Sequence, residues 1–138
     1  MSTSPHELRI QVRYGETDQM GVVHHANYLA YLEEGRTRMM AELGCSYADL
    51  ERGGIGLPVR RVELRYRNPA HYEEELVVRT RVVGMRAASV TFEYEIVRPA
   101  DGVMIASAMT ELACIDLHGR PRKVLALPDD LRRLLGPA

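Results

Sequence analysis

Apolar and polar residues change rhythm several times along the chain, and each change predicts an element. Leu8, Ile10, Val12 and Tyr14 alternate with Arg9, Gln11 and Arg13, the period of two expected of a strand with one buried face. After the loop GETDQMGVVHH, the residues Tyr28, Leu29, Leu32, Met39, Met40 and Leu43 recur at three- and four-residue spacing. That spacing predicts one long amphipathic helix over ANYLAYLEEGRTRMMAELG, with Gly44 as its C-cap. Gly35 falls inside this helix, where glycine costs about 1 kcal/mol relative to alanine, so a close contact is expected there.

A short turn, SYADLERGGIGLP, leads to a second strand through Val62, Leu64 and Tyr66. Pro69 interrupts the alternation, and Leu76, Val78, Thr80 and Val82 resume it on one face. MRAAS is read as a hairpin connection to Val90, Phe92, Tyr94 and Ile96, and PADG turns the chain into a last strand spanning VMIASAMTELACID. HGRPR is a further turn, and LALPDDLRRLL ends in one short helix. A strand, a long helix and four more strands on short connections imply an α+β fold, an antiparallel sheet with one helix on one face. No internal repeat or linker divides the chain, so residues 1–138 are read as a single domain.

Composition narrows the function. The 18 basic and 19 acidic residues leave a net charge of -1, which provides no field to collect polyanions, so no nucleic-acid partner is expected. Cys45 and Cys114 have no metal-ligand spacing and are too few for a disulfide framework, as in a reducing compartment. No apolar run approaches the roughly 20 residues that span a bilayer, nor the length of a signal peptide, so a cytoplasmic protein is expected. A chain of 138 residues has little material left to wall a deep pocket after building its own core. Any deep pocket is therefore expected to need a second subunit.

Polar chemistry concentrates in the loop from Glu16 to His25, where a carboxylate, two imidazoles and a turn glycine precede the helix. A helix start presents unpaired N–H groups and the positive end of its dipole, suited to a developing oxyanion. Asp18, seven residues upstream of His25, is placed to fold back over that end. Read from the residues alone, an aspartate in a loop such as Asp18 is usually a turn or capping residue. Asp18, His24 and His25 are also suitable metal-ligand types, but successive residues of an extended segment point apart and no fourth ligand lies nearby, so no metal site is expected.

Asp18-Gln-Met-Gly21-Val-Val-His24-His25-Ala-Asn27-Tyr28 before a helix resembles the signature of the 4-hydroxybenzoyl-CoA thioesterase family of hot-dog-fold acyl-CoA thioesterases, with the Tol–Pal-associated bacterial branch most similar. Tyr66-Arg-Asn-Pro69-Ala70-His-Tyr72 resembles the family's strand-to-strand connection, and Arg86-Ala-Ala-Ser89-Val-Thr-Phe92 its next hairpin. The resemblance runs from about residue 8 to residue 134.

It implies a hot-dog fold, a five-stranded antiparallel sheet wrapped around the long helix, with Gly35 where sheet and helix approach closely. It implies hydrolysis of an acyl-CoA to a free acid and coenzyme A without a cofactor. Asp18 then carries over as the catalytic carboxylate, acting as nucleophile or as general base. His25 matches the residue whose backbone N–H polarises the thioester carbonyl. Gly21 lets the loop turn tightly, Tyr28 lines the acyl slot or packs in the core, Asn27 caps the helix, and Leu57 edges the pocket. Arg86 with Ser89, or Arg60 with Arg61, are the candidates for the coenzyme A phosphates.

The resemblance further implies a homodimer, extendable to a tetramer, that joins its sheets edge to edge, with Asp18 of one subunit facing the helix start of the other. Glu33 and Glu34, on the helix, are read as surface residues. A non-catalytic acyl-CoA-binding or adaptor protein and a hot-dog hydratase or dehydratase remain the alternatives.

Overall fold

In the computed structural model, which describes residues 4–136, the period-two segments become strands and the long apolar stripe becomes a helix. The two ends of the expected 1–138 domain lie outside the described residues. Strand β1 (His6–Gln11) and a single 3-10 turn (Tyr14–Glu16) lead through the loop into helix α1 (Asn27–Leu43). Helix α2 (Tyr47–Arg52), β2 (Ile55–Gly56) and β3 (Val59–Tyr66) follow. Then come β4 (Glu75–Met85), β5 (Ser89–Arg98), β6 (Val103–Ala113), β7 (Ile115–Asp116) and helix α3 (Asp129–Leu135).

Five strands form one antiparallel sheet in the order β1-β4-β5-β6-β3, and β2 with β7 forms a small second ladder. This is the expected hot-dog arrangement. Register places Thr80 opposite Tyr94 and Val82 opposite Phe92, so the inward residues of β4 and β5 share one face. Leu76, Val78, Val90, Phe92, Ile96 and Leu112 are wholly buried there, beneath Tyr28, Leu32 and Met40 of α1. Burial of each such side chain contributes roughly 1.5–3 kcal/mol.

Four local differences from the sequence reading have physical causes. Strand β1 stops at Gln11 because Tyr14 turns out of the sheet and stands 76% exposed. The expected turn after α1 contains α2, capped by the Ser46 hydroxyl accepting from the Asp49 N–H at 3.2 Å. The last long strand breaks after Ala113, and Ile115–Asp116 pairs instead with β2. On α1, Leu29 and Leu43 remain largely exposed while Tyr31, Gly35 and Arg36 are buried. Arg36 has a polar seat there: its Nε donates to the Tyr47 hydroxyl at 2.9 Å, and Tyr94, which shares a 2.6 Å hydrogen bond with Thr110, also bonds it.

Gly35 supports the expected close approach, and side chains rather than sheet backbone set it. A Cβ at this position would meet Thr80 Oγ1 at 2.7 Å and Val78 Cγ1 at 2.8 Å. The helix can therefore settle onto β4 only with glycine here. Because α1 lies chiefly over β4 and β1, the other edge strand, β3, is left uncovered. Val59 and Val62 are 41% exposed and Tyr66 is 53% exposed along this free edge.

Candidate active site

The loop before α1 is a small hairpin. Thr17 and Val23 face each other in a bridge, the Asp18 N–H donates to the Val22 carbonyl at 2.9 Å, and the His24 N–H donates to the Glu16 carbonyl at 2.8 Å. At the tip the Gly21 N–H donates to the Asp18 carbonyl at 3.0 Å, and Gly21 has φ +80°, a left-handed turn that glycine adopts without strain. The Val23 N–H donates to the Ala70 carbonyl at 2.8 Å, which ties the hairpin to the β3–β4 connection.

This register sets half-buried Asp18 opposite Val22 in the hairpin that leads into α1. One carboxylate oxygen of Asp18 accepts from the Met20 N–H at 2.8 Å, a local turn bond. The other makes no hydrogen bond among the described residues.

The start of α1 is uncapped. The N-cap position is Ala26, with no side-chain hydrogen bond, and no acidic residue occupies the first turn. Asn27 is thus the first helical residue rather than the cap; its backbone N–H donates to the His24 carbonyl at 2.9 Å, and its side-chain Nδ2 is buried without a hydrogen-bond partner among the described residues. The Ala26 N–H donates to His24 Nδ1 at 3.1 Å, which makes Nδ1 an acceptor and assigns the neutral ring's proton to Nε2. The His25 ring stacks on His24 with centroids 4.3 Å apart. The His25 N–H makes no hydrogen bond to another described residue, whereas its carbonyl accepts from the Tyr66 hydroxyl at 2.8 Å.

Tyr28 packs in the core and also borders an open groove. It is 4% exposed, with its ring edge-on to Tyr31 and Tyr66, and burial pushes its hydroxyl pKa up. It also lines an open groove of about 270 Å³ with Val23 and His25 on one side and Tyr66, Arg67, Asn68 and Pro69 on the other. A larger depression of about 400 Å³ lies on the outer sheet face among Glu63, Arg65, Arg79, Arg81, Glu93 and Glu95. Its walls are rows of opposite charge with no helix terminus, which suits solvent rather than an acyl group.

The remaining sequence candidates sit at the far end of the sheet. Tyr66 pairs with Ala106, whereas Val59 pairs with Leu112, and Leu112 pairs with Val90 beside Ser89. Seven residue steps of about 3.3 Å along β3 separate the two ends by roughly 20 Å. Leu57 packs against the core at that far end, next to Pro58, whose carbonyl accepts from the Ala113 N–H at 3.0 Å. Within one chain, then, His25 and Tyr28 share the groove, Asp18 and Gly21 sit in the hairpin that leads into it, and Leu57, Arg86 and Ser89 lie at the other end of the sheet.

Arg86 is exposed, but Ser89 is only 3% exposed, which corrects its expected part in holding phosphates. The C-terminal segment covers it: the Cys114 N–H donates to the Ala88 carbonyl at 2.9 Å and the Leu127 N–H to the Ala87 carbonyl at 2.8 Å. Arg60 and Arg61 are already paired with Glu111 and Glu63. Glu33 and Glu34 are exposed on α1. Among the described residues no group of three or more His, Cys, Asp and Glu side chains could hold a metal ion, and no helix is long and apolar enough to cross a membrane.

Three residues the sequence reading left without a role organise this site. Glu16 Oε1 accepts from the Arg13 N–H and from the Tyr31 hydroxyl, each at 2.8 Å. Burial, then the Glu16 carboxylate, drive the Tyr31 hydroxyl pKa well up, so it stays a proton donor. Tyr66 reaches the helix start from the free edge. The one signal in the sequence is a second carboxylate two residues before Asp18; Tyr66 reads only as a strand residue and the start of a connection, and Tyr31 falls outside the apolar spacing of the helix.

The comparisons with known proteins agree with this architecture. The profile of the thioesterase-like superfamily matches residues 12–135, and the chain belongs to that family. YneP of Bacillus subtilis is 40% identical over 107 residues, covering 78% of this chain and 77% of that protein. The acyl-CoA thioester hydrolase YbgC of Escherichia coli is 32% identical over 132 residues, covering 95% and 96%. The crystal structure of protein TT1821 from Thermus thermophilus superposes with a TM-score of 0.86 at 36% identity, covering 94% of this chain and 95% of that one. The enzyme class expected from the sequence, thioester hydrolase, is the one that the names of YneP and YbgC carry.

Proposed function

We propose that the protein hydrolyses acyl-CoA thioesters, with Asp18 as the catalytic carboxylate and the His25 N–H as the donor to the thioester carbonyl. The observation that carries this reading is an uncapped helix start, whose His25 N–H has no partner among the described residues, at the end of the hairpin that carries Asp18. The carboxylate attacks the carbonyl carbon, or takes a proton from a water that does so. The carbonyl oxygen gains charge against the N–H and the helix dipole. The C–S bond then breaks and coenzyme A leaves as thiolate; on the base route the attacking water has already become the hydroxyl of the acid, and on the nucleophilic route water then cleaves the mixed anhydride with Asp18, which releases the acid and restores the carboxylate. A thiol pKa near roughly 8.5 makes a strong general acid unnecessary.

We further propose that two chains pair along β3. An exposed edge strand carrying Val59, Val62 and Tyr66 is a template for a second strand. A two-fold axis makes that pairing antiparallel, which sets the Tyr66 end of one copy beside the Val59 end of the other. The groove at His25 and Tyr28 then meets Leu57 and Arg86 of the second copy, which supply the missing wall and a cation for the coenzyme A phosphates.

A panel of aromatic, short-chain and long-chain acyl-CoA thioesters, with released thiol read by a chromogenic reagent, tests the activity. Thiol release on at least one acyl class is expected, and background rates on all would overturn the reading. Asp18→Asn is expected to lose orders of magnitude in turnover while still binding substrate; retained turnover would move the chemistry off Asp18.

A further inference from the structure

We infer that Tyr66 is a positioning residue, which holds the peptide at the helix start in register and makes that peptide depend on the edge strand. The inference rests on the thioesterase reading above. Tyr66 is the last residue of β3, 41 positions from His25, yet its hydroxyl donates to the His25 carbonyl at 2.8 Å. The same peptide unit continues as the Ala26 N–H, which donates to His24 Nδ1 at 3.1 Å. One plane is thus held from both sides, by a phenol on the sheet edge and by an imidazole in the hairpin.

The helix start lacks a side-chain cap, and of the carbonyls before it that of His24 accepts from the Asn27 N–H at 2.9 Å and that of Ala26 from the Leu29 N–H at 3.3 Å, whereas the His25 carbonyl accepts no backbone N–H among the described residues. The Tyr66 hydroxyl is the contact that anchors the His25 carbonyl. The His25 N–H, on the other side of the same α-carbon, is oriented with it. The ring of Tyr66 also lies 5.4 Å from that of Tyr28 at 68°, so the side chain is braced against the helix it serves. A displacement of about 1 Å at such a donor can cost on the order of a hundredfold in rate.

Tyr66 stands on the strand through which we propose that two copies pair. Pairing there fixes the end of β3 from which the hydroxyl reaches, and the helix-start peptide is accordingly set by the assembled edge.

Tyr66→Phe in the full chain tests this, since the ring and its packing remain and only the hydroxyl is lost. On an acyl-CoA that the wild type hydrolyses, kcat is expected to fall about tenfold with KM within twofold and the oligomeric state by light scattering unchanged. Backbone amide resonances of His25 and Ala26 are expected to shift in the variant. A kcat within twofold of wild type, or unmoved His25 and Ala26 amides, would overturn the role assigned to Tyr66. A wild type inactive on every acyl-CoA would instead overturn the thioesterase reading, and the amide shifts alone would then decide whether Tyr66 holds this peptide.

Discussion

The Tyr31 hydroxyl on α1 donates to Glu16 Oε1 in the hairpin at 2.8 Å, and this bond joins the helix to the loop that carries Asp18. The acceptor is a carboxylate that also receives the Arg13 N–H, and hydrogen bonds to charged groups contribute about 1.5–3 kcal/mol. Tyr31→Phe is expected to lower unfolding stability by an amount of that order in urea titrations. It is also expected to reduce acyl-CoA turnover more than substrate affinity, because the hairpin loses its tie to α1.

Gly35→Ala sets helix propensity against packing. Alanine in an exposed helix would gain about 1 kcal/mol. Here its methyl group would sit 2.7 Å from Thr80 Oγ1 and 2.8 Å from Val78 Cγ1, and overpacking of this kind costs typically 1–3 kcal/mol. The net expectation is a destabilised protein with a lower Tm in thermal unfolding. A variant as stable as the wild type would mean that α1 and β4 separate freely.

Glu74 fixes the direction of an acid dependence. Burial raises its carboxyl pKa, but the His71 N–H at 2.7 Å and the Arg98 guanidinium at 3.2 Å outweigh burial and hold it below the usual carboxyl value of 4.5. A depressed folded pKa contributes stability that is present above 4.5 and is lost as pH falls through the folded value. Unfolding stability measured from pH 6 downward is therefore expected to fall once pH drops below about 4.5. Arg98→Gln should flatten that loss, because the folded pKa then lies nearer the unfolded one.

Val62 tests the proposed pairing edge. It is 41% exposed on β3, and a pair of like charges brought together across a two-fold strand contact is unfavourable. Val62→Asp is expected to give a folded monomer by light scattering, with acyl-CoA hydrolysis reduced to a few per cent of wild type or less. A fully active monomer would contradict the pairing along β3.

Much of the fold was legible because burial has a period. Val90, Phe92, Tyr94 and Ile96 alternate in sequence and are all buried on β5. The loop from Glu16 to His25 was legible as a chemical site because carboxylate, imidazoles and glycine crowd one short stretch before a helix. Arg36 was not legible as buried, since a charged side chain enters a core only where other elements provide its partners. Here Tyr47 and Tyr94 do so, from α2 and β5.

By itself the sequence determined the element order, the inward faces of the strands, the turn at Gly21 and the family signature, all local consequences of spacing and side-chain type. Only the tertiary structure decided that Asp18 pairs with Val22 in a hairpin tied to the β3–β4 connection, that Ser89 is covered, that Leu57 and Arg86 stand at the other end of the sheet, roughly 20 Å along it from Tyr66, and that Tyr66 reaches the His25 carbonyl. Those relationships depend on strand order and on how the C-terminal segment crosses the β4–β5 hairpin. They join residues distant in the chain, and no periodicity within a segment encodes them.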